Sequence, residues 1–583
     1  MKKAAAVVVL LSLAPLRGLP ANADPVRTLL SVPSASGAVA SSRFIDGEMH
    51  YAGTPGDERL AVWMAQRLRA FGFRTTIESF AARVPVLRRI SVEILSHPVV
   101  RLDLRERPIP VDPDGSRPDA GIPFNGWSGS GTVTAALVDV GNGLDADYRA
   151  LSARHESVRG KIALVRYGAE FRGLLAARAQ RNGAAGVIFY NAPASGKPTY
   201  PNGPYRPLGS VQRGSLGGGI TIPVLPVSAW NAQRLLRTHA PIRMSVDEPF
   251  VWRRLWNTVG VLSGTHPSQE VVLGGHRDAW VYGVTDNGDG VSTLLETARA
   301  LGALARTGWR PRRSIVIAGW DGEEIGELGS TAYVRMHRDR LRSGCVAYIN
   351  VDESESGQFF VASAAAALSS FVVAATANVP DPRRPHATLK ARWQAQRGGV
   401  VVEAPGGGSD FEPFLYDAGV PIVDGGFAGP FGVYHSAFDD LRYAQTEADP
   451  GFVNHRALAQ LLALEAYRLA DEPLRSLYHL VSYADTMRDD VASVPAQYSG
   501  ALAPLRTAID AFAVRAASSH PSDGVMLDAV ARLDALCYGR NGYAAVPLPL
   551  LSAALATNDG GKVGAAASAM ASQLGAVTRE IET

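Results

Sequence analysis

Five side chains of this 583-residue chain, His276, Asp286, Glu324, Asp352 and His435, are of the types that hold metal ions and activate water. Four of them stand at or just beyond the end of an apolar run. Val271-Val272-Leu273-Gly274-Gly275 leads into His276, and residues 315–320 lead through Asp321-Gly322 into Glu323-Glu324. Ala347-Tyr348-Ile349-Asn350-Val351 leads into Asp352, and Val433-Tyr434 leads into His435. Asp286 follows His276 through the turn Thr285-Asp286-Asn287-Gly288, which can return its carboxylate to the imidazole. Imidazole mixed with carboxylate suits zinc better than magnesium or calcium. One zinc would use three of the five groups and strand two acids. Two zincs sharing a bridging carboxylate use all five and leave open positions for a common water. Metals about 3.5–4 Å apart hold such a water as hydroxide near neutral pH and polarise a carbonyl oxygen. Of the adjacent Glu323 and Glu324, one can bind metal while the other takes the water's proton. Asp278 can accept the second ring N–H of His276 and fix its orientation.

Side chains so far apart in sequence need a scaffold that gathers them. In an open α/β sheet, ligands bind beyond the carboxyl ends of the strands, so the four runs are expected to deliver their last residues to one rim. From Asn257 to about Ala444, apolar strands alternate with helices, which predicts a sheet with crossover helices on its faces. Residues 57–73 place Leu60, Ala61, Met64, Leu68 and Phe71 at helical spacing beside a terminating Gly. Between about Leu104 and Pro249, short β-like runs and Gly/Pro-rich turns enclose one helical stretch, residues 173–183, the texture of a separate α/β insert. Beyond Val453 the chain is Ala/Leu-rich with helical periodicity and no strand signals, interrupted at Pro547 and Pro549. The expected division is a signal over 1–23, a discontinuous catalytic domain over 24–103 and 252–455, an insert over 104–251 and a helical domain over 456–583.

Met1-Lys2-Lys3, a short apolar run and Ala21-Asn22-Ala23 have the form of a cleaved secretory signal, placing the mature protein outside the cell or in the periplasm. Pro15 and Arg17 leave the run short of the roughly 20 residues a spanning helix needs. Removing it takes Lys2, Lys3 and Arg17 and no acid, so the formal charge of +3 falls to about zero. No basic field then remains to recruit nucleic acid or anionic membrane. Cys345 lies in an apolar run, where a small buried hydrophobe is its expected role, and a single pair with Cys537 would not staple a chain of this size.

The stretches Gly274-Gly275-His276-Arg277-Asp278-Ala279-Trp280, Asp286-Asn287-Gly288 and Trp320-Asp321-Gly322-Glu323-Glu324 resemble the co-catalytic zinc peptidases of family M28. The branch they are most similar to is that of glutamate carboxypeptidase and the transferrin receptor. Tyr348-Ile349-Asn350-Val351-Asp352, Gly408-Ser409-Asp410-Phe411-Glu412, Tyr434-His435-Ser436 and the upstream Ala52-Gly53-Thr54-Pro55-Gly56 continue the match in order. The resemblance implies a mixed-sheet α/β peptidase domain, an inserted protease-associated α/β domain and a C-terminal helical domain that dimerises in relatives. It implies one Zn(2+) on His276, Asp286 and Asp352 and a second on Asp286, Glu324 and His435. Glu323 would be the general base, Tyr434 would steady the tetrahedral intermediate, and the Asp286–Asn287 bond matches one that is often cis.

For substrate, the resemblance places Phe171 and Arg172 of the insert, Ser215, Ser409 and Tyr543 around a short peptide, with Arg172 on its α-carboxylate. The departures fall here. Ser215 and Ser409 stand where relatives have Asn, Gly542 stands where they have Lys, and Ala362 stands where an arginine is expected. Ala332 and Arg335 replace two acidic calcium ligands, so no calcium is expected there. The expected activity is that of a metallocarboxypeptidase without strict glutamate preference. An aminopeptidase and a metal-free binding protein like the transferrin receptor are the rivals.

Overall fold

The computed structural model describes residues 24–384 and 386–582, so the expected export signal lies outside the described residues. Its centre is an eight-stranded mixed sheet ordered Arg74–Pro85, Phe250–Leu262, Arg313–Trp320, His266–His276, Cys345–Asn350, Ile422–Ala428, Phe359–Ala364 and Val402–Glu403. The four middle strands, from Arg313–Trp320 to Ile422–Ala428, run parallel. Their central residues are mostly apolar because both faces are covered there, and every residue of Arg313–Trp320 is buried. Helix Asp289–Arg306 packs against Ala35–Ile45 and Val453–Asp471, while Leu328–Gly344 packs against residues Pro413–Ala418 and Asp523–Cys537. The helix expected over 57–73 runs over Pro55–Ala70, with Leu60, Ala61, Met64 and Leu68 buried. It begins two residues earlier because Thr54 caps it and Pro55 occupies the first turn.

Residues between this sheet's second and first strands form two further four-stranded sheets. One contains the parallel strands Leu137–Gly141, Ile162–Arg166, Gly186–Tyr190 and Val224–Val227. The other pairs Arg89–Ile94 and Val100–Arg101 with Ile242–Asp247 and Gly131–Ala135. The insert's sheet thus reaches back to Arg89, before the boundary expected at 104. The alternation of buried Ile90, Val92 and Ile94 with polar residues suits a sheet with one covered face, and that face belongs to the insert core.

The C-terminal region is built on helices Val481–Ala492, Ala503–Ser518, Asp523–Cys537 and Gly560–Glu580, but it is not wholly helical. Tyr538–Asn541 and Ala544–Pro547 form an antiparallel hairpin with Gly542 at φ +60° in its two-residue turn. Gly at the first central position is one of the sequence signals for a two-residue hairpin turn, and Gly542-Tyr543 carries it. Cys345 and Cys537 are both buried and free. Among the described residues, no helix is long and apolar enough to cross a membrane.

One buried ion pair ties helix Pro55–Ala70 to the sheet beside His276. Arg277, 1% exposed, donates to Asp57 Oδ1 at 2.8 Å and lies 3.4 Å from Asp321 Oδ2. Arg277→Met would leave two carboxylates buried without their cation. The expected loss is about 3–5 kcal/mol of stability, read as a lower urea midpoint.

Candidate metal centre and active site

Three of the expected ligands arrive from strand ends as the topology requires. His276 closes its strand in register with Trp320, and Asn350, paired with Gly274, precedes Asp352 by two residues. The backbones approach closely: a Cβ on Gly275 would lie 2.0 Å from the Val351 carbonyl oxygen. Gly322, at φ +75°, turns the chain after Trp320 and presents Glu323 and Glu324. His435 departs from the expectation of a fourth strand end. Its neighbouring strand stops at Ala428, and Val433-Tyr434 lies in a turn, with His435 at φ +57°. Tertiary contacts hold that turn instead. Arg213 donates its backbone N–H to the His435 carbonyl at 3.1 Å, and its guanidinium pairs with buried Glu106 at 2.7 Å. Arg206 donates to the Tyr434 carbonyl.

The five groups converge. His276 Nε2 lies 3.1 Å from both Asp286 Oδ1 and Asp352 Oδ1, and His435 Nε2 lies 2.9 Å from Asp286 Oδ2 and 3.0 Å from Glu324 Oε2. One set of ligand atoms comes from His276, Asp286 and Asp352, another from Asp286, Glu324 and His435, and Asp286 is common to both. Each imidazole turns Nδ1 to a carbonyl, His276 to that of Asp278 at 2.9 Å and His435 to that of Arg213 at 3.4 Å. With Nδ1 carrying the proton, each Nε2 lone pair faces two carboxylate oxygens. That arrangement is repulsive unless a cation sits among them, so the donor set fits metal. The same imbalance appears in the titration of the bare groups. Burial works against a charged His276, yet Asp352 and Glu323 beside it raise its pKa well above the ordinary imidazole range.

Further contacts hold these loops in place. Asn287 Nδ2 donates to the carbonyls of His276 (3.2 Å) and Val351 (2.8 Å), and the Asp286–Asn287 peptide is cis. Asp439 accepts the backbone N–H groups of Thr285 (2.8 Å) and Asp286 (3.0 Å). Two assignments shift. Asp278 contributes its carbonyl, not its carboxylate, to His276; the carboxylate is 3.9 Å away and accepts the Glu323 N–H at 3.1 Å. Backbone geometry two residues past a strand end puts the carbonyl nearer. Ser409, expected against substrate, donates instead to Asp352 Oδ2 at 2.5 Å and accepts from Asn350 Nδ2 at 2.9 Å. It orients Asp352 and is itself buried.

A cavity of about 290 Å³ opens on these groups and is also lined by Phe171, Arg172, Ser215, Tyr434 and Tyr543. Glu323 faces it with Oε2 3.8 Å from His276 Nε2. Burial pushes its carboxyl well above the ordinary range; His276 opposes this, while Asp352, Asp410 and Glu324 add to it. Arg172, 6% exposed, donates to the Ser215 carbonyl at 3.1 Å and to the Tyr434 hydroxyl at 3.4 Å, and it has no ion pair among the described residues. Tyr434 stacks on His435 at 3.6 Å, and burial holds its phenol protonated. Phe171 meets Tyr543 edge-on at 5.2 Å. Glu327, Glu353 and Arg540 also line the cavity and were not legible as site residues. Arg540 rides on the unforeseen hairpin and pairs with Glu412.

Comparison with known proteins agrees with this architecture. Residues 257–453 match the profile of peptidase family M28, and residues 133–235 match that of the PA domain. The chain is 30% identical over 522 residues to the probable glutamate carboxypeptidase VP8 of Zea mays, covering 81% of this chain and 72% of that protein. It is 28% identical over 494 residues to the aminopeptidase NAALADL1 of Rattus norvegicus, covering 69% and 66%. Its fold is like that of BSAP, a zinc aminopeptidase from Bacillus subtilis, with a TM-score of 0.53 at 20% identity over 76% of this chain and 97% of that one. The chain therefore belongs to peptidase family M28, the zinc metallopeptidases, in the transferrin-receptor-like branch that includes proteins named glutamate carboxypeptidase.

Proposed function

We propose that this protein is a two-zinc exopeptidase acting on short peptides, as a carboxypeptidase that grips the free C-terminus with Arg172. His276, Asp286 and Asp352 would hold one zinc, and Asp286, Glu324 and His435 the other. When bound, the zinc pair supplies Lewis acidity toward water and the scissile carbonyl. Glu323 takes a proton from the attacking water and passes it to the amine nitrogen as the C–N bond breaks, so atoms and charge balance. Tyr434, which receives a hydrogen bond from Arg172 and also hydrogen-bonds Tyr543, would turn its O–H to the oxygen that gains charge at the former carbonyl.

The observation that carries the carboxypeptidase reading is Arg172, a buried guanidinium at the cavity wall with no carboxylate partner among the described residues. A substrate carboxylate can pair with it bidentately. Arg172→Lys is expected to lower kcat/KM about 10–100-fold for peptides with a free C-terminus, because a point charge loses the fork geometry. Glu327 and Glu353 in the same cavity favour a second reading, since either could receive an α-amine in an aminopeptidase. N-blocked and C-amidated peptides separate the two. Cleavage of amides but not of N-blocked peptides would overturn the carboxypeptidase reading. We further propose a homodimer exported from the cytoplasm, checked by sedimentation and by N-terminal sequencing of the secreted protein.

A further inference from the structure

Away from the zinc-type centre lies a second group of acids. Asp112 and Asp114 stand in the turn Asp112-Pro113-Asp114-Gly115, and Asp440 caps the short helix that follows His435. One carboxylate oxygen from each lies within 4.8 Å of the others. Asp112 and Asp440 are each 1% exposed. Asp440 Oδ1 accepts the Tyr443 N–H at 2.8 Å, while its buried Oδ2 meets no donor among the described residues and its carboxyl is in contact with that of Asp112. Asp112 Oδ2 accepts from the Tyr200 hydroxyl at 2.5 Å. Asp46, at the end of helix Ala35–Ile45, adds a fourth carboxyl whose Oδ1 is also buried without a partner. Arg117 is the cation beside them, 3.9 Å from Asp114 Oδ2, but its guanidinium is engaged by Asp119 at 3.1 Å and by the carbonyls of Asp46 and Gly47.

We propose that Asp112, Asp114 and Asp440, with Asp46 beside them, form a calcium site. An unpaired buried carboxylate oxygen aimed among other carboxylates is costly unless a cation joins them. The donors are all oxygen, with no imidazole or thiolate, which selects a hard cation over zinc. Burial and the neighbouring acids raise the carboxyls of Asp46, to about 6, and of Asp440, in keeping with uncompensated negative charge. The site joins the end of an N-terminal helix, the loop entering the insert and the turn beginning at His435. The adjacent Asp439 already grips the backbone of Asp286. An occupied site would therefore brace the segment that carries His435.

The test uses the full chain with its zinc centre saturated, so that added cation cannot enter there. Calorimetric titration with Ca²⁺ is expected to show one saturable site per chain, and saturating Ca²⁺ to raise the melting temperature by a few degrees. Tb³⁺ bound there is expected to emit on tyrosine excitation, since Tyr200 touches Asp112 and Tyr443 lies 5.3 Å from Tyr200 ring to ring. Asp440→Asn keeps a capping side chain and is expected to weaken Ca²⁺ binding at least about 10-fold. Asp112→Asn is expected to do the same, with the half-exposed Asp114→Asn as the variant least able to disturb folding. No saturable Ca²⁺ binding at millimolar concentration, unchanged binding in folded Asp440→Asn and Asp114→Asn, or zinc preferred over calcium at this site would each overturn the proposal.

Discussion

Replacing Glu323 by Gln is expected to lower kcat by about 10²–10⁴-fold while both zincs stay bound. The amide keeps the shape of the side chain at the cavity wall but cannot take a proton from water. The metal-ligand atoms should not move, because Glu323 is outside both groups of three and its Oε2 is 3.8 Å from the nearest imidazole nitrogen. Its backbone N–H on Asp278 is untouched by the change. Steady-state kinetics and elemental analysis of the same preparation read the two halves of the prediction. Loss of metal along with turnover would exchange the roles of Glu323 and Glu324.

Asp286→Asn should have the opposite signature, with metal lost along with activity. Asp286 alone contributes an oxygen to each group of ligand atoms, Oδ1 toward His276 and Oδ2 toward His435. An amide offers one neutral oxygen in place of a shared anion, so neither half keeps its charge. Changes in residues that merely support ligands cost about 10–100-fold in metal affinity, so loss of the shared ligand should exceed that range. Fewer than two zincs per chain after dialysis and no measurable hydrolysis are the expected results. A variant retaining two zincs would sink the bridging role.

The sheet was legible because its signals are local. Apolar runs such as residues 315–320 announce buried parallel strands, and polar residues at their ends announce a rim. The hairpin Tyr538–Pro547 departs from the expected all-helical region because it is a short excursion between helices, with Gly542 at the first position of its turn. With it, Arg540 was missed as a wall of the cavity. The resemblance puts Ser409 beside the substrate, whereas its 2.5 Å hydrogen bond to Asp352 Oδ2 depends on packing between segments 57 residues apart.

Sequence by itself determined the chemistry on offer: two imidazoles and two carboxylates at or just beyond the ends of apolar runs, a third carboxylate in the turn at Asp286, and a spare glutamate beside Glu324. Period and hydrophobicity act over a few residues, so they carry strand ends and the turn at Asp286 without help from the rest of the chain. Only the tertiary structure decided where His435 would stand, because its turn is held by Arg213 and Arg206 from the insert, more than two hundred residues away. It also decided that each Nε2 would face two carboxylate oxygens, a convergence that depends on packing between segments no local rule connects.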